Sequence, residues 1–346
     1  MHPSPNPDSP APPSRPPASR APGLALASGI GALALALGHW MPLVGGAVFG
    51  ILLGIVVRQF IPPGARTVPG IVFGSSQLLR GSIILLGFGL SLDQVAKVGM
   101  ESLAVTLVTM ATAFIAAWLL GRWLRVRGHL TLLIGVGTAI CGGSAIAAVS
   151  PILRAQQHDV AFAISTVFLF NVAAVLVFPA LGHAMGLSDP GFGLWAGTAI
   201  NDTSSVVAAG YAYSPAAGDY ATIVKLTRAT FIIPICLVLA AVAAWRGKHE
   251  ATTQGRVRLG RIFPWFILWF LLASGLRSAG IIPSAALPWL QTLAHLLIVV
   301  ALTAVGLGAD LRRMLATGPR PILLGLGAWI AVAASSLIVQ QAIGRL

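Results

Sequence analysis

Asp202, Lys225 and Arg228 are ionisable side chains set inside otherwise apolar sequence. A charge in such surroundings is costly, so it marks a site unless it serves only as a structural ion pair. Asp202 is flanked by Asn201, Thr203, Ser204 and Ser205, whose amide and hydroxyls can solvate a carboxylate. Lys225 and Arg228 are three residues apart and share one helix face. Two cations on one face can attract a small anion. Asp202 can pair with either of them, or it can gain and lose a proton during a transport cycle. Sequence leaves these roles open.

Two glycine- and hydroxyl-rich stretches surround this chemistry. Gly137–Val149 reads GTAICGGSAIAAV, and Gly197–Ala209 reads GTAINDTSSVVAA; six of the thirteen positions are identical. Mid-helix glycines and hydroxyls serve either close helix packing or local unwinding. Unwound backbone in a membrane must be satisfied by protein, water or ligand, and transporters place such breaks at their binding sites. The substrate- or ion-binding candidates are therefore Cys141, Gly142, Gly143, Ser144, Asn201, Asp202, Thr203, Ser204, Lys225 and Arg228. A weaker echo relates Gly89-Leu-Ser-Leu-Asp93 to Gly306-Leu-Gly-Ala-Asp310, consistent with two internal halves of opposite direction, near 42–184 and 190–346.

The remaining polar residues suggest less. Asn171, ahead of Pro179, is a cavity-lining candidate, whereas His183 and His295 read as packed or interfacial residues. Cys141 and Cys236 lack redox or zinc spacing and read as small buried hydrophobes. The sequence contains no phosphate-cradling loop, no metal-ligand spacing and no nucleophile elbow. The reading is accordingly not an enzyme, with no cofactor and no metal, and any uphill transport must draw on an ion gradient of H+ or Na+.

These residues require a membrane to hold them. The chain is 56% hydrophobic and 9% charged, with mean hydropathy +0.87; soluble domains carry about 25% charged residues. Spanning a bilayer takes about 20 apolar residues. On that basis we expect an all-α polytopic membrane protein with eleven spans, near 23–40, 42–57, 78–95, 102–121, 130–151, 160–182, 191–211, 223–245, 262–279, 289–308 and 321–343. Arg80 makes the third uncertain, with 66–77 as an alternative interfacial segment. Proline-rich residues 1–22 cannot bury enough apolar surface to fold and read as a disordered tail. Placing the N-terminus inside puts fifteen Lys/Arg on the cytoplasmic side, against Lys97, Arg154, Arg277 and Arg345 outside. This follows the positive-inside rule. The net charge of +13 thus reflects orientation in a bacterial inner membrane, not nucleic-acid binding.

The run Cys141-Gly-Gly-Ser-Ala-Ile-Ala-Ala148 followed by Pro151 resembles the YeiH-type membrane proteins, a group labelled sulfate exporters. Leu85–Leu92, Trp195–Val207 and Val224–Arg228 agree with it in order along the chain. That family is distantly similar to the bile-acid symporter and cation–proton antiporter superfamily. The likeness implies two inverted five-helix repeats, crossed discontinuous helices, elevator-like alternating access and a homodimer. It points to Cys141, Gly142, Ser144, Asp202, Thr203, Lys225 and Arg228. Relatives often carry His where this chain has Asn201 and Gln where it has Ser205, so a mechanism using that His as proton carrier does not transfer. The reading is a secondary transporter for sulfate or a related small anion; the alternatives are cation–proton exchange centred on Asn201-Asp202, or a membrane-embedded enzyme or lipid-handling scaffold.

Overall fold

A computed structural model describes residues 19–41, 45–126, 128–246 and 263–345. Most of the expected tail, and the basic residues Arg127, Lys248, Arg256, Arg258 and Arg261, lie outside the described residues. Among those described there are helices and no strands. The helices are α1 (Ala21–Trp40), α2 (Gly45–Phe60), α3 (Val68–Phe73), α4 (Leu79–Gly87), α5 (Leu92–Trp123), α6 (Gly128–Ala139), α7 (Gly143–Val149), α8 (Gln157–Ala184), α9 (Asp189–Ala199) and α10 (Thr203–Tyr213). They continue as α11 (Pro215–Thr230), α12 (Ile232–Arg246), α13 (Trp265–Ser278), α14 (Leu287–Gly308), α15 (Leu311–Leu315) and α16 (Pro319–Ala342). Among the described residues, seven segments are long and apolar enough to cross a membrane, Pro215–Val242 among them; α2, α6 and α13 are shorter apolar helices. The chain is a polytopic all-α membrane protein.

Several expected boundaries shift. The third apolar segment is not 78–95 but Val68–Gly87, in which α3 and α4 are joined by a π-helical turn at Gly74–Leu78. Pro69 starts it, and Gly87-Phe88-Gly89 ends it. Residues 66–77 are thus largely one end of a long helix rather than a separate interfacial segment, and Arg80 projects from its exposed side. Helix α5 begins ten residues before the expected 102, because Ser91 and Gln94 form a reciprocal cap at Leu92. Ala21 and Pro22, assigned to the tail, already belong to α1.

The larger correction concerns 130–151 and 191–211, which double back instead of spanning. Ser214, after α10, donates through Oγ to Asp189 Oδ1 at the start of α9, at 2.7 Å. Tyr213 donates to the Leu187 carbonyl and stacks on Phe192, ring centroids 3.9 Å apart. Both ends of the α9–α10 pair therefore lie at one end of the bundle. Extended backbone at Ile200 and Asp202 makes the reversal.

Helices α6 and α7 reverse in the same way. Gly142 takes φ +65°, ψ −129°, and its N–H returns to the Gly137 carbonyl. Ile146 of α7 then packs on Gly137 of α6. This pair opens toward the other end of the bundle, where α5 finishes. Gly327 of α16 lies on Leu120 of α5, and two residues away Gly325 lies on Thr166 of α8, so the N-terminal half of α8 lies at the level where α5 ends. The same GTAI tetrapeptide thus ends the first arm of two hairpins that enter from opposite ends. Composition alone cannot separate a hairpin from a span of equal length; one positive-φ glycine at 142, or two extended residues at 200 and 202, decide it.

Two sets of helices pack around these hairpins. In one, α14 lies along α2 and α4, α1 along α2 and α14, and α13 along α4. Small residues bring the axes close: Gly50 and Gly54 of α2 meet Thr303 of α14, and Gly306 meets Ile51. In the other, α11 lies between α9 and α10, while α5, α8 and α16 surround α6 and α9. The principal contacts between the sets are α2 and α14 against α10, and α13 against α5.

Candidate functional site

The site forms where the two hairpin tips meet. An α-helix leaves its last carbonyls without intrahelical partners and carries partial negative charge there. Helices α6 and α9 both end this way inside the bundle. Their carbonyls are met by α11, whose Lys225 and Arg228 are fully buried. Lys225 Nζ donates to Ile140 O and to Ile200 O, each at 2.9 Å. Arg228 Nε donates to Ala139 O at 2.7 Å, and its terminal nitrogens donate to Thr138 O and Thr198 O. Ile140 matches Ile200, and Thr138 matches Thr198, in the repeated GTAI. Two adjacent side chains thus satisfy the same positions of both hairpins.

The tips are also tied on the side of α8. Asn171, 1% exposed, accepts through Oδ1 from the N–H of Asn201 at 3.1 Å and of Asp202 at 3.3 Å. A Cβ built on Gly142 would lie 3.6 Å from Asp202 Cβ and 3.7 Å from Asn171 Nδ2. A methyl group at Gly142 would therefore sit in van der Waals contact with the other reversal.

The return helices α7 and α10 start from these tips, and their N-termini carry the complementary positive ends. Asp202 caps α10, accepting through Oδ2 from Ser204 N at 2.9 Å and from the Ser204 hydroxyl. It is therefore not hydrogen-bonded to Lys225 or Arg228; its first partner is its own helix. Gly142 at the start of α7 offers no side-chain cap. Ser144 is exposed; Gly143, Asp202 and Thr203 are partly so, while Cys141, Asn201 and Ser204 are buried. Asn201 Oδ1 is buried without a hydrogen-bond partner among the described residues.

All ten candidate residues fall on the two tips or on the α11 face that joins them. Asn171 completes the set; its signal was a lone amide in an apolar helix. No group of three or more His, Cys, Asp or Glu residues with metal-ligating geometry occurs among the described residues.

A family model described as "Conserved hypothetical protein 698" matches residues 22–325. The chain belongs to that family. It is 43% identical over 330 residues to a UPF0324 membrane protein of Streptococcus pyogenes serotype M18, covering 93% of this chain and 97% of the relative. UPF0324 membrane proteins of Streptococcus mutans serotype c and Clostridium tetani are 42% and 39% identical, over 93% and 88% of this chain and 97% and 91% of theirs. The alignments with these relatives thus extend across nearly the whole described bundle, and family membership agrees with the resemblance carried by the glycine-rich tips.

Proposed function

We propose that this family member is a secondary transporter moving sulfate or a related small anion by alternating access. The observation that carries this reading is the meeting of two oppositely directed hairpin tips around Lys225 and Arg228. Two buried cations thus stand against tips that carry one carboxylate, Asp202, and the helix N-termini there add partial positive charge. The geometry redistributes the roles expected from sequence. Lys225 and Arg228 hold the tips together and set a positive potential; Gly143, Ser144 and Thr203, on the accessible side, contact the solute. Half-helices meeting inside a bundle are how transporters present backbone to a small ion.

With α6–α7 and α9–α10 as hairpins, nine of the described segments cross the bilayer and both hairpins stop near its midplane. Arg154 then moves to the end that carries Arg58, Arg66, Arg122, Arg125, Arg312, Arg313 and Arg320, leaving Lys97, Arg277 and Arg345 opposite. The asymmetry sharpens, and it favours an inner-membrane protein with its N-terminus in the cytoplasm.

Cation–proton exchange is the second reading, favoured by the unpartnered Asn201 Oδ1 beside Asp202. The test is flux in proteoliposomes containing the full chain. Labelled sulfate and a panel of organosulfonates are offered with and without a proton or sodium gradient. If none moves under any gradient, the anion reading fails; movement of protons against sodium alone supports the second.

A further inference from the structure

A cavity of about 440 Å³ opens between α5, α9, α11 and the chain end that follows α16, away from the hairpin tips. Gln94, Lys97, Val98 and Glu101 fall at helical spacing, so one face of α5 forms a wall. Close packing sets the other walls against it. A Cβ on Gly99 of α5 would meet Thr227 Oγ1 of α11 at 3.3 Å, and one on Gly193 of α9 would meet Tyr220 Cβ at 2.8 Å. The floor is apolar: Leu194, 1% exposed, packs with Val105 and Val224, and Val98 and Tyr220 lie against that cluster. Every wall belongs to the helix set that holds the hairpins, so this cavity is not the space between the two sets.

Its charges do not balance. Arg345 Nη1 donates to Glu101 Oε2 at 2.7 Å, and the guanidinium also interacts with the Tyr220 phenol. Lys97, one turn before Glu101, is exposed and forms no ion pair within 4 Å among the described residues. The other carboxylates of these helices are engaged or point elsewhere. Asp189 accepts from Ser214 and Asp219 from Tyr211, while Asp93 is exposed and does not line the cavity. Two cations against one carboxylate leave one positive charge uncompensated above an apolar floor.

Cavities for small organic molecules run from about 300 to 1,000 Å³. A bare inorganic oxyanion would fill a small part of this one and leave Val98 and Leu194 wet. We propose that the cavity binds an amphiphilic organic anion, with a phosphate- or sulfonate-type head on Lys97 and Arg345 and an apolar part over Val98 and Leu194. A phospholipid and a free alkyl sulfonate share this chemistry. The bound head competes with Glu101 for Arg345 and ties the chain end after α16 to α5. This site goes beyond the transport reading and does not depend on it.

The test uses the full chain in detergent, titrated calorimetrically with hexanesulfonate and, separately, with inorganic sulfate. Lys97→Gln should weaken hexanesulfonate binding by about tenfold or more, the worth of one charge-assisted hydrogen bond. Glu101→Gln should strengthen it, because the competing carboxylate is gone. For inorganic sulfate, Lys97→Gln should change little, since any binding at the hairpin tips does not involve Lys97. A second arm retrieves the protein from phosphatidylglycerol nanodiscs for native mass spectrometry. A phospholipid retained by the unsubstituted chain and lost in Lys97→Gln identifies a lipid as the source; hexanesulfonate binding without a retained lipid identifies a free anion. The proposal is overturned if neither probe depends on Lys97. It is also overturned if Glu101→Gln weakens hexanesulfonate binding, since the carboxylate would then be part of the recognition. A Lys97-dependent affinity for sulfate equal to that for hexanesulfonate overturns the amphiphilic assignment.

Discussion

Ile140 and Ile200, sixty positions apart, present their carbonyl oxygens to one ammonium: Lys225 Nζ lies 2.9 Å from each. They are equivalent residues of the repeated GTAI, and each ends a helix arm that enters from a different end of the bundle. A charge-assisted bond to one carbonyl would cap a helix; bonds to both fasten two hairpins at a shared point.

Removing that ammonium should destabilise the protein more than it perturbs any one helix. Lys225→Met leaves two buried carbonyls without this donor, at about 1–3 kcal/mol for each unsatisfied group. Arg228→Lys keeps the charge but cannot span Thr138, Ala139 and Thr198 together, and we expect a loss of about 1–3 kcal/mol. Denaturation of the detergent-solubilised protein, followed by tryptophan fluorescence, measures both. Equal stability of Lys225→Met and the unsubstituted chain would show that the carbonyls find other donors.

Neighbouring glycines should respond differently to the same methyl group. Gly142 has φ +65°, whereas Gly143 begins α7 and a Cβ there meets only Ile164 Cγ2 at 3.9 Å. Gly142→Ala should cost about 1–3 kcal/mol from backbone strain; Gly143→Ala should be close to neutral. The paired stabilities check the reversal directly, since a straight helix through 142 would favour alanine at both.

Asn171 should matter through the backbone it accepts from. Asn171→Leu leaves the N–H groups of Asn201 and Asp202 without their acceptor, at about 1–3 kcal/mol for buried donors. Hydrogen exchange should accelerate at residues 200–204 and remain slow in α9. Uniform acceleration across α8 and α9 would instead indicate general loosening.

The hairpins make a topology prediction that differs from eleven spans. Cysteines at Met185 and Ala216 should both react with an impermeant thiol reagent from the outer face, and one at Gln156 only from the cytoplasmic face. Eleven spans would put Met185 inside and Gln156 outside. Both native cysteines, Cys141 and Cys236, are buried, so background labelling should be small.

Asp202→Asn separates the two transport readings. An amide oxygen can still accept from Ser204 N, so α10 keeps its cap. Sulfate flux in proteoliposomes should persist if the solute is an anion, and proton-coupled cation exchange should disappear if Asp202 carries the proton.

Membrane embedding, the all-α class and the residues that stand out as candidates were legible in the sequence, because each depends on local composition. Few charges leave no water-facing surface, and a lone Asp, Lys or Arg in an apolar run stands out whatever surrounds it. GTAI repeated at 137 and 197 even marked the two positions that meet. Direction was not legible. A helix that turns back at Gly142 or at Asp202 has the same hydropathy as one that continues, and only contacts such as Ser214 with Asp189 reveal the reversal. Partners were equally hidden. Sequence left Asp202 free either to pair with Lys225 or Arg228 or to titrate, whereas packing gave the cations to the carbonyl ends of α6 and α9 and the carboxylate to the start of α10. Helix ends in an apolar interior must be satisfied by whatever reaches them, and that is decided by which ends the tertiary fold brings together.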